Sequence, residues 1–582
     1  MTSFSVQELT LNTGQIERWS QTDVRAMNWP VVYTLSNEGE GDEAVYVGES
    51  LRVGSRLAQH LGSHEKQELK TVRVILDKTF NKSACLDLES SLIQLFSGDG
   101  KYRVLNRNDG IANADYYDRG KYQRTFDAIF EELRDSGAFT RSIPEIHNSD
   151  LFKLSPFKAL NHEQAIAVDG ITDHLLSDLR RHKTGTLVVQ GDPGTGKTIV
   201  AIYLIKMLRD IAVMVPGDEL DADSMFADFF TEENKDLVNG LRIGFVVPQQ
   251  SLRKSIQGVF AKTYGLSKAM VLTPFDVGRS DEPFDVIVVD ETHRLNRRAN
   301  QSSGKANSNF REINERLFGR DDIHLTQLDW IMAQSRHQIF FVDPAQSVRP
   351  ADLSISVQRE LLENAKMENR FYPLSSQMRV RGGEDYIDYV RMIFNTRRYS
   401  LPQRRRFHGY ELRMFDDLSV MHAAIREQDA RVGLARLVAG YAWRWISRVD
   451  KSAYDIVLDG CRLRWNSTDT DWINSPGSVN EVGSIHTVQG YDLNYAGVII
   501  GPDLSFDASN NRLTFQRNNY FDKKGMENNR VLNISFNDED MLGFITNIYS
   551  VLMTRGMLGT YVYVCDPALR EWLRNFIPTE FS

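Results

Sequence analysis

The run Gly191-Asp192-Pro193-Gly194-Thr195-Gly196-Lys197-Thr198 combines three glycines and a proline with an ammonium and two hydroxyls. It fits G-x-x-x-x-G-K-[ST], the phosphate-loop pattern. Gly191, Gly194 and Gly196 let backbone N–H groups close around phosphate oxygens, with Thr195 inside the same turn, and a helix N-terminus adds a favourable field. Lys197 would reach the β- and γ-phosphates and Thr198 would hold Mg²⁺. A second pair of groups suits the same chemistry. In Asp290-Glu291-Thr292-His293, Asp290 would bind the metal shell and Glu291 would orient or deprotonate the attacking water. Gln346, in Asp343-Pro344-Ala345-Gln346, could sense the γ-phosphate.

These groups need strand tips to hold them. Thr186-Leu187-Val188-Val189-Gln190 reads as a buried strand before the loop, and Ile199–Ile205 reads as a helix after it. Phe284–Val289 and Gln338–Val342 are further apolar runs that end in the polar groups named above. Short apolar strands alternating with helices predict a parallel α/β sheet, whose strand ends present the chemistry.

Further segments follow in order: Gln377-Met378-Arg379, then His486-Thr487-Val488-Gln489-Gly490, then Thr554-Arg555-Gly556. With the phosphate loop, D-E-x-H and D-x-x-Q, this order resembles a superfamily-1 helicase core. The stretches GDPGTGKT, VVDETHRL, HTVQGYDLNYAGVIIGPDL and VLMTRGMLGTYVYVCDP are similar to bacterial Schlafen-group-3-type NTPase/helicases, over roughly residues 155–582. The resemblance implies two RecA-like lobes clamping one NTP. It makes Arg379 and Arg555 arginine fingers, since a planar guanidinium suits charge on a transferred phosphoryl group. It makes Gln164 an adenine reader, and it has His486 and Gln489 couple nucleotide to nucleic acid.

The N-terminal region carries a separate set. Val31–Leu35 and Val45–Gly48 read as two strands of a hairpin around the polar Ser36–Glu43 stretch. Arg56 and His60 fall four residues apart, on one helical face. Glu89 lies in an amphipathic segment, and Asn106 ends the pattern. The layout resembles the GIY-YIG nuclease family over about residues 29–110. Tyr33 matches the first tyrosine and Tyr46-Val47-Gly48 the second half-motif. Arg56 matches the helix arginine, Glu89 the metal-binding glutamate and Asn106 the late asparagine. Two positions depart: Val31-Val32-Tyr33 lacks the family glycine, and Glu49 stands where some members carry lysine. Glu89 would hold one Mg²⁺, and Arg56 would contact the scissile phosphate. Tyr33 or Tyr46 would position or deprotonate water, with a pKa depressed by the metal and Arg56.

The chain has 582 residues, a net charge of −9 and three cysteines, Cys85, Cys461 and Cys565, far apart in sequence. That pattern argues against a zinc site and for reduced thiols in the cytoplasm. A mean hydropathy of −0.38 and the lack of a long apolar run argue against a membrane span, and the N-terminus lacks the regions of a signal peptide. The negative total argues against a broadly basic coat but permits a local basic channel. Arg391–Phe407 mixes arginines with aromatics, as phosphate contact and base stacking would need. Arg294, Arg297 and Arg298 are further cations that could face nucleic acid or the second lobe.

The expected fold is α/β: a small GIY-YIG-like α/β nuclease domain (1–120), a helix and linker (121–157), a first RecA-like lobe (158–355) and a second (356–582) with an inserted subregion near 402–480. The expected function is an ATP-dependent helicase or translocase coupled to a Mg²⁺-dependent endonuclease, in defence against foreign DNA or in repair. DNA is favoured over RNA as partner, with room for a protein partner or a homo-oligomer. A second reading is an NTP-switched sensor whose N-terminal domain binds nucleic acid without cutting it.

Overall fold

The computed structural model describes residues 4–37, 43–63, 66–107, 115–214, 225–298, 301, 303–343, 346, 351–395, 402–468, 472–488, 491–523, 525–528 and 534–579. The chain divides into two compact units. One comprises Met1–Ala165, Ile199–Gly240 and Ser255–Met270; the other comprises Ile166–Thr198, Leu241–Lys254 and Val271–Ser582.

In the first unit a five-stranded sheet has the order β1-β4-β2-β3-β5, from β1 (Phe4–Thr10), β2 (Val31–Ser36), β3 (Ala44–Ser50), β4 (Thr71–Asp77) and β5 (Arg103–Val104). The expected hairpin is β2 against β3, with Tyr33 opposite Gly48 and Leu35 opposite Tyr46. Side chains alternate across a strand. Val32, Val45 and Val47 therefore join the core under the helix Lys82–Asp99. Val31, Tyr33 and Leu35 join Val53 and Leu57 of the helix Val53–Leu61 on the other face. The helix expected at the start of 121–157 is Arg119–Asp135, which buries Phe126, Ile129, Phe130 and Leu133.

The reading of 136–157 as a linker is corrected. Ser142 and Glu145 form a reciprocal capping box with Pro144 in the first turn, so proline here starts the helix Ile143–Asn148. A second short helix, Asp150–Lys153, follows. Both pack on the Lys82–Asp99 helix at Gly98, where a Cβ would meet Ile146 and Phe152 at 2.7 Å.

In the second unit, a fully parallel sheet runs β11-β6-β10-β9-β7-β8. Its strands are β6 (Gly185–Gly191), β7 (Ile243–Val246), β8 (Val271–Leu272), β9 (Phe284–Val289), β10 (Ser335–Val342) and β11 (Phe371–Leu374). The second sheet runs β12-β20-β17-β13-β16-β15-β14. It is built from β12 (Glu411–Phe415), β13 (Ala435–Ala439), β14 (Ile456–Leu458), β15 (Cys461–Trp465), β16 (Glu481–Ser484), β17 (Leu493–Ile500) and β20 (Gly556–Val564). All its pairs are parallel except β14–β15. A hairpin of β18 (Leu504–Asp507) and β19 (Arg512–Phe515) stands apart. These two sheets are RecA-like parallel-sheet lobes.

Two expectations about this region change. β11 lies beyond residue 355 yet pairs with β6, so the first sheet takes its edge from later in the chain. Residues 402–480 are no insertion, because β12 and β13 are strands of the second parallel sheet. Trp465 and Trp472 of that stretch are buried in the lobe's core, with Trp443 and Trp445 partly buried against it.

Candidate nucleotide-hydrolysis site and N-terminal tyrosine site

Three strands carry the hydrolytic groups. β6 and β9 flank β10, and their C-terminal ends bring Asp192, Asp290 and Asp343 to one edge of the sheet. Gly194 and Gly196 adopt φ of +89° and +81°, which side chains with a Cβ resist. A Cβ on Gly194 would lie 2.1 Å from Gln377 Oε1, so the loop is also too tight there for another residue. Thr195 Oγ1 donates to the Asp192 carbonyl at 2.9 Å and closes the turn; a Cβ on Gly191 would meet that oxygen at 2.4 Å. Lys197 is buried, and its ammonium donates to the carbonyls of Gly191 (2.7 Å) and Asp192 (2.9 Å) and lies 3.4 Å from Asp343 Oδ2.

Thr198 Oγ1 donates to Asp290 Oδ2 at 2.6 Å. A hydroxyl and a carboxylate held together are the protein oxygens that an octahedral Mg²⁺ takes beside phosphates and water. Burial, with the adjacent Glu291, raises the Asp290 carboxyl to about 6. Glu291 moves the other way. Burial would raise it, but His293, Arg294 and Lys197 outweigh that and hold it below the usual carboxylate range. His293 Nε2 stands 3.0 Å from Glu291 Oε2, yet that oxygen is buried with no hydrogen bond. Glu291 also has φ of +50°, a left-handed conformation costing of order 1–3 kcal/mol. An ionised carboxylate with an unmet acceptor, held in a strained turn, can take a proton or orient a water.

The second lobe supplies the cations. Gln377 Nε2 donates to the Pro193 carbonyl at 2.6 Å, and Met378 N donates to the Gly194 carbonyl at 2.9 Å. These bonds seat Arg379 beside the phosphate loop, where it pairs with Asp492. Arg555 is 2% exposed. It donates to the Tyr491 carbonyl at 3.3 Å and to Gln346 Oε1 at 3.4 Å, and Gln346 donates to Asp343 Oδ2 at 2.5 Å. Burial, with the like charge of Arg379, lowers Arg555 to about 9. Among the described residues Arg379 Nη1 and Arg555 Nε, both buried, have no hydrogen-bond partner. Converging buried cations with unmet donors fit a polyphosphate.

Several expected residues are hydrogen-bonded to other protein groups. Arg391 grips Asp192 of the phosphate loop through two bonds of 2.7 and 2.9 Å, so it is no free nucleic-acid contact. Phe394 is core and Phe407 packs edge-on against Tyr386 and Tyr389, while Arg404, Arg405 and Arg406 remain exposed. Arg297 and Arg298 are turned inward, to the Asp352 carbonyl and to both oxygens of Asp321. Gln164 caps a helix: it accepts from Asn161 N at 3.0 Å while Asn161 Oδ1 accepts from Gln164 N at 2.9 Å. His486 Nε2 lies 2.9 Å from Asp522 Oδ2, and Gln489 lies outside the described residues. A cavity of about 440 Å³ touches Pro193 and Gln346, but second-lobe helices line the rest of it, so it is not the hydrolytic centre. Asp192, Asp343, Gln377 and His293 were given no individual role from sequence, although each stands in one of the quoted motifs.

In the N-terminal sheet, Tyr33, Tyr46 and His60 meet. Tyr33 Oη and His60 Nε2 are 2.7 Å apart, and the Tyr46 and His60 ring centroids are 5.2 Å apart. Lys66 Nζ faces His60 Nδ1 at 3.2 Å and lies 3.5 Å over the Tyr46 ring. An ammonium only donates, so Nδ1 accepts and neutral His60 donates from Nε2 to Tyr33. Arg56 also hydrogen-bonds Tyr33, and Glu89 acts on it through space. Gly48 is glycine for a steric reason: its Cβ would lie 2.5 Å from Tyr33 Oη. Asn106 is buried and clamps Val47, accepting from its N–H at 3.0 Å and donating to its carbonyl at 2.8 Å. Glu49 pairs with Lys82 of the neighbouring helix. Among the described residues no cluster of three or more His, Cys, Asp or Glu side chains could hold a metal. A Mg²⁺ at Glu89 would therefore take one protein carboxylate, with phosphate and water completing its shell, as this ion tolerates.

Arg56 alone does not depress Tyr33: burial, with Tyr46 nearby, raises its hydroxyl well above the usual value. Burial, with Lys66 and Arg56, lowers His60 to about 3. Unfolded His60 binds a proton below pH 6.5 and folded His60 does not until about 3. Its contribution is therefore complete above pH 6.5 and is lost as pH falls. Urea unfolding of wild type should weaken on acidification more steeply than that of His60→Gln, by about 1.4 kcal/mol per pH unit at most. Equal slopes would contradict the buried, neutral imidazole.

Among the described residues no helix is long and apolar enough to cross a membrane. Residues 184–566 match the family model described as Schlafen group 3, DNA/RNA helicase domain. An uncharacterized protein of Saccharomyces cerevisiae, YPL245W, is 24% identical over 462 residues, spanning 74% of this chain and 93% of the relative. The match covers the phosphate loop, both carboxylates, Arg379 and Arg555, and the chain belongs to the Schlafen group 3 DNA/RNA helicase family.

Proposed function

We propose that this chain is an ATP-driven nucleic-acid translocase whose N-terminal domain cuts phosphodiesters. The observation that carries the motor is the convergence of Lys197, Asp290, Glu291, Arg379 and Arg555 at one cleft, with buried cationic donors that lack partners. In this reading Lys197 and the loop amides bind the phosphates, and Thr198 and Asp290 hold Mg²⁺. Glu291 orients or deprotonates water, and Arg379 and Arg555 neutralise charge on the transferred phosphoryl group. Gln346, bonded to both Asp343 and Arg555, links the γ-phosphate position to the second lobe. Gln164 reads adenine, and His486 with Gln489 relays nucleotide state to the nucleic acid.

For the N-terminal site, the support is the meeting of Tyr33, Tyr46, His60 and Arg56 on one sheet face, with Glu89 of the Lys82–Asp99 helix acting on Tyr33 through space and Asn106 clamping the strand that carries Tyr46. Arg56 would contact the phosphate, and Tyr33, hydrogen-bonded by two donors, would position water. Mg²⁺ at Glu89, when bound, supplies Lewis-acid activation of the phosphate. A nuclease tied to a translocase would suit defence against foreign DNA or repair.

The test is cleavage of single-stranded, duplex and forked DNA, and of RNA, with Mg²⁺. Wild type should cut at least one of these. Glu89→Ala should lower the rate at least about a hundredfold, the scale of one lost electrostatic contact to developing charge. The sensor reading, in which the N-terminal domain binds without cutting, is favoured by one observation: the Tyr33 hydroxyl is fully buried and resists ionisation. No cleavage of any substrate, with NTP turnover intact, would replace the nuclease with that sensor.

A further inference from the structure

The helix Lys197–Val213 leaves the phosphate loop as a nearly unbroken apolar run, KTIVAIYLIKMLRDIAV. Three charged residues interrupt it, Lys206, Arg209 and Asp210. Lys206 and Asp210 are both 0% exposed and form an ion pair one turn apart. Burying an ammonium and a carboxylate costs several kcal/mol per ion before pairing, and apolar residues would pack as well. The ammonium has a second partner outside the helix: it donates to the backbone carbonyl of Asn106 at 3.2 Å.

Asn106 is the residue whose side chain clamps Val47 of β3. The ladder between β3 and β5 ends at Val45 opposite Val104, and Leu105 N adds one bond to the Val45 carbonyl. The Asn106 amide then extends the ladder by imitating a backbone unit. Val47 lies between Tyr46 and Gly48, the two positions that face the Tyr33 ring. β5 itself is fixed independently. Val104 N donates to the Lys262 carbonyl at 3.0 Å, and Tyr264 N donates to the Val104 carbonyl at 3.0 Å.

We propose that Lys206 is a positioning residue that carries the nucleotide state of the phosphate loop to the N-terminal tyrosine site. Lys197 and Lys206 lie on one continuous helix, roughly 13 Å apart along its axis. A shift of that helix on nucleotide binding moves the Lys206 ammonium, hence the Asn106 carbonyl, hence the clamp on β3. An ion pair with one exchangeable partner suits a two-position contact better than apolar packing does. The proposal rests on the reading that the phosphate loop binds nucleotide; it does not need the N-terminal site to cut.

The test is hydrogen exchange on the full chain, with and without a saturating non-hydrolysable ATP analogue and Mg²⁺, read over residues 44–50 and 103–107. Wild type should change its exchange there at least about threefold on nucleotide binding. The double variant Lys206→Met/Asp210→Leu, which removes both members of the ion pair, should bind the analogue within about threefold of wild type and lose the response. Asn106→Ala cuts the same path at its other end and should lose it too. A merely structural role would change exchange equally with and without nucleotide. A wild type that binds the analogue with no response in β3, or a double variant that keeps the response, overturns the coupling. A wild type that binds no nucleotide overturns both this proposal and the reading beneath it.

Discussion

Glu291→Gln binds nucleotide with wild-type affinity and turns it over about 10²–10⁴-fold more slowly, the usual contribution of a positioned general base. The substitution keeps size and removes charge. In the folded protein the charge is held by His293, Arg294 and Lys197 against the pull of burial. Removing it also relieves the neighbouring Asp290, which burial and Glu291 raise to about 6. Metal binding should therefore not weaken, and the loss should fall on kcat and leave KM nearly unchanged. Steady-state NTP turnover beside a nucleotide-binding titration checks this. Turnover within tenfold of wild type would remove Glu291 from the chemistry.

Arg555→Ala lowers kcat about 10³–10⁵-fold, the range found when a guanidinium on a transferring phosphoryl group is removed. Arg555→Lys does not restore it, because the planar fork that holds Tyr491 and Gln346 would also have to meet the phosphoryl group, and an ammonium cannot serve all three. Arg379→Ala has the same sign. It should also loosen the phosphate loop less than Gln377→Ala does, because Gln377 makes the bond to Pro193 and Arg379 pairs with Asp492. Single-turnover hydrolysis separates these effects from binding. Loss of nucleotide affinity with unchanged single-turnover rates would make both arginines binding groups only.

Much of this arrangement was legible in the sequence because it is local. A strand, a turn with glycines of positive φ and a helix start are contiguous in Val188–Val200, and the hairpin of β2 and β3 shows as two β-rich runs around the polar Ser36–Glu43 stretch. The four-residue step from Arg56 to His60 likewise brought two groups to one face of a helix. What could not be read depends on chain segments that meet only in the fold. Asp192 and Arg391 are 199 residues apart, and no local pattern marks either as the other's partner. Arg391 therefore resembled a member of a basic, aromatic stretch. The strands β12 and β13 looked like an insertion because short strands lack a distinctive periodicity when their neighbours come from β16, β17 and β20. The Ser142–Glu145 box was hidden by Pro144, a residue that ends helices inside them and begins them at the first turn. The state of Tyr33 depended on complete burial, which residue type alone does not fix.

The central claim is that NTP chemistry at Lys197 governs what the N-terminal site does to nucleic acid. Its most direct test is the rate of Mg²⁺-dependent cleavage with and without ATP, for wild type beside Lys197→Ala. ATP should change the wild-type rate severalfold and leave the Lys197→Ala rate unchanged. Cleavage that proceeds at one rate in all four conditions would contradict the coupling of the two sites.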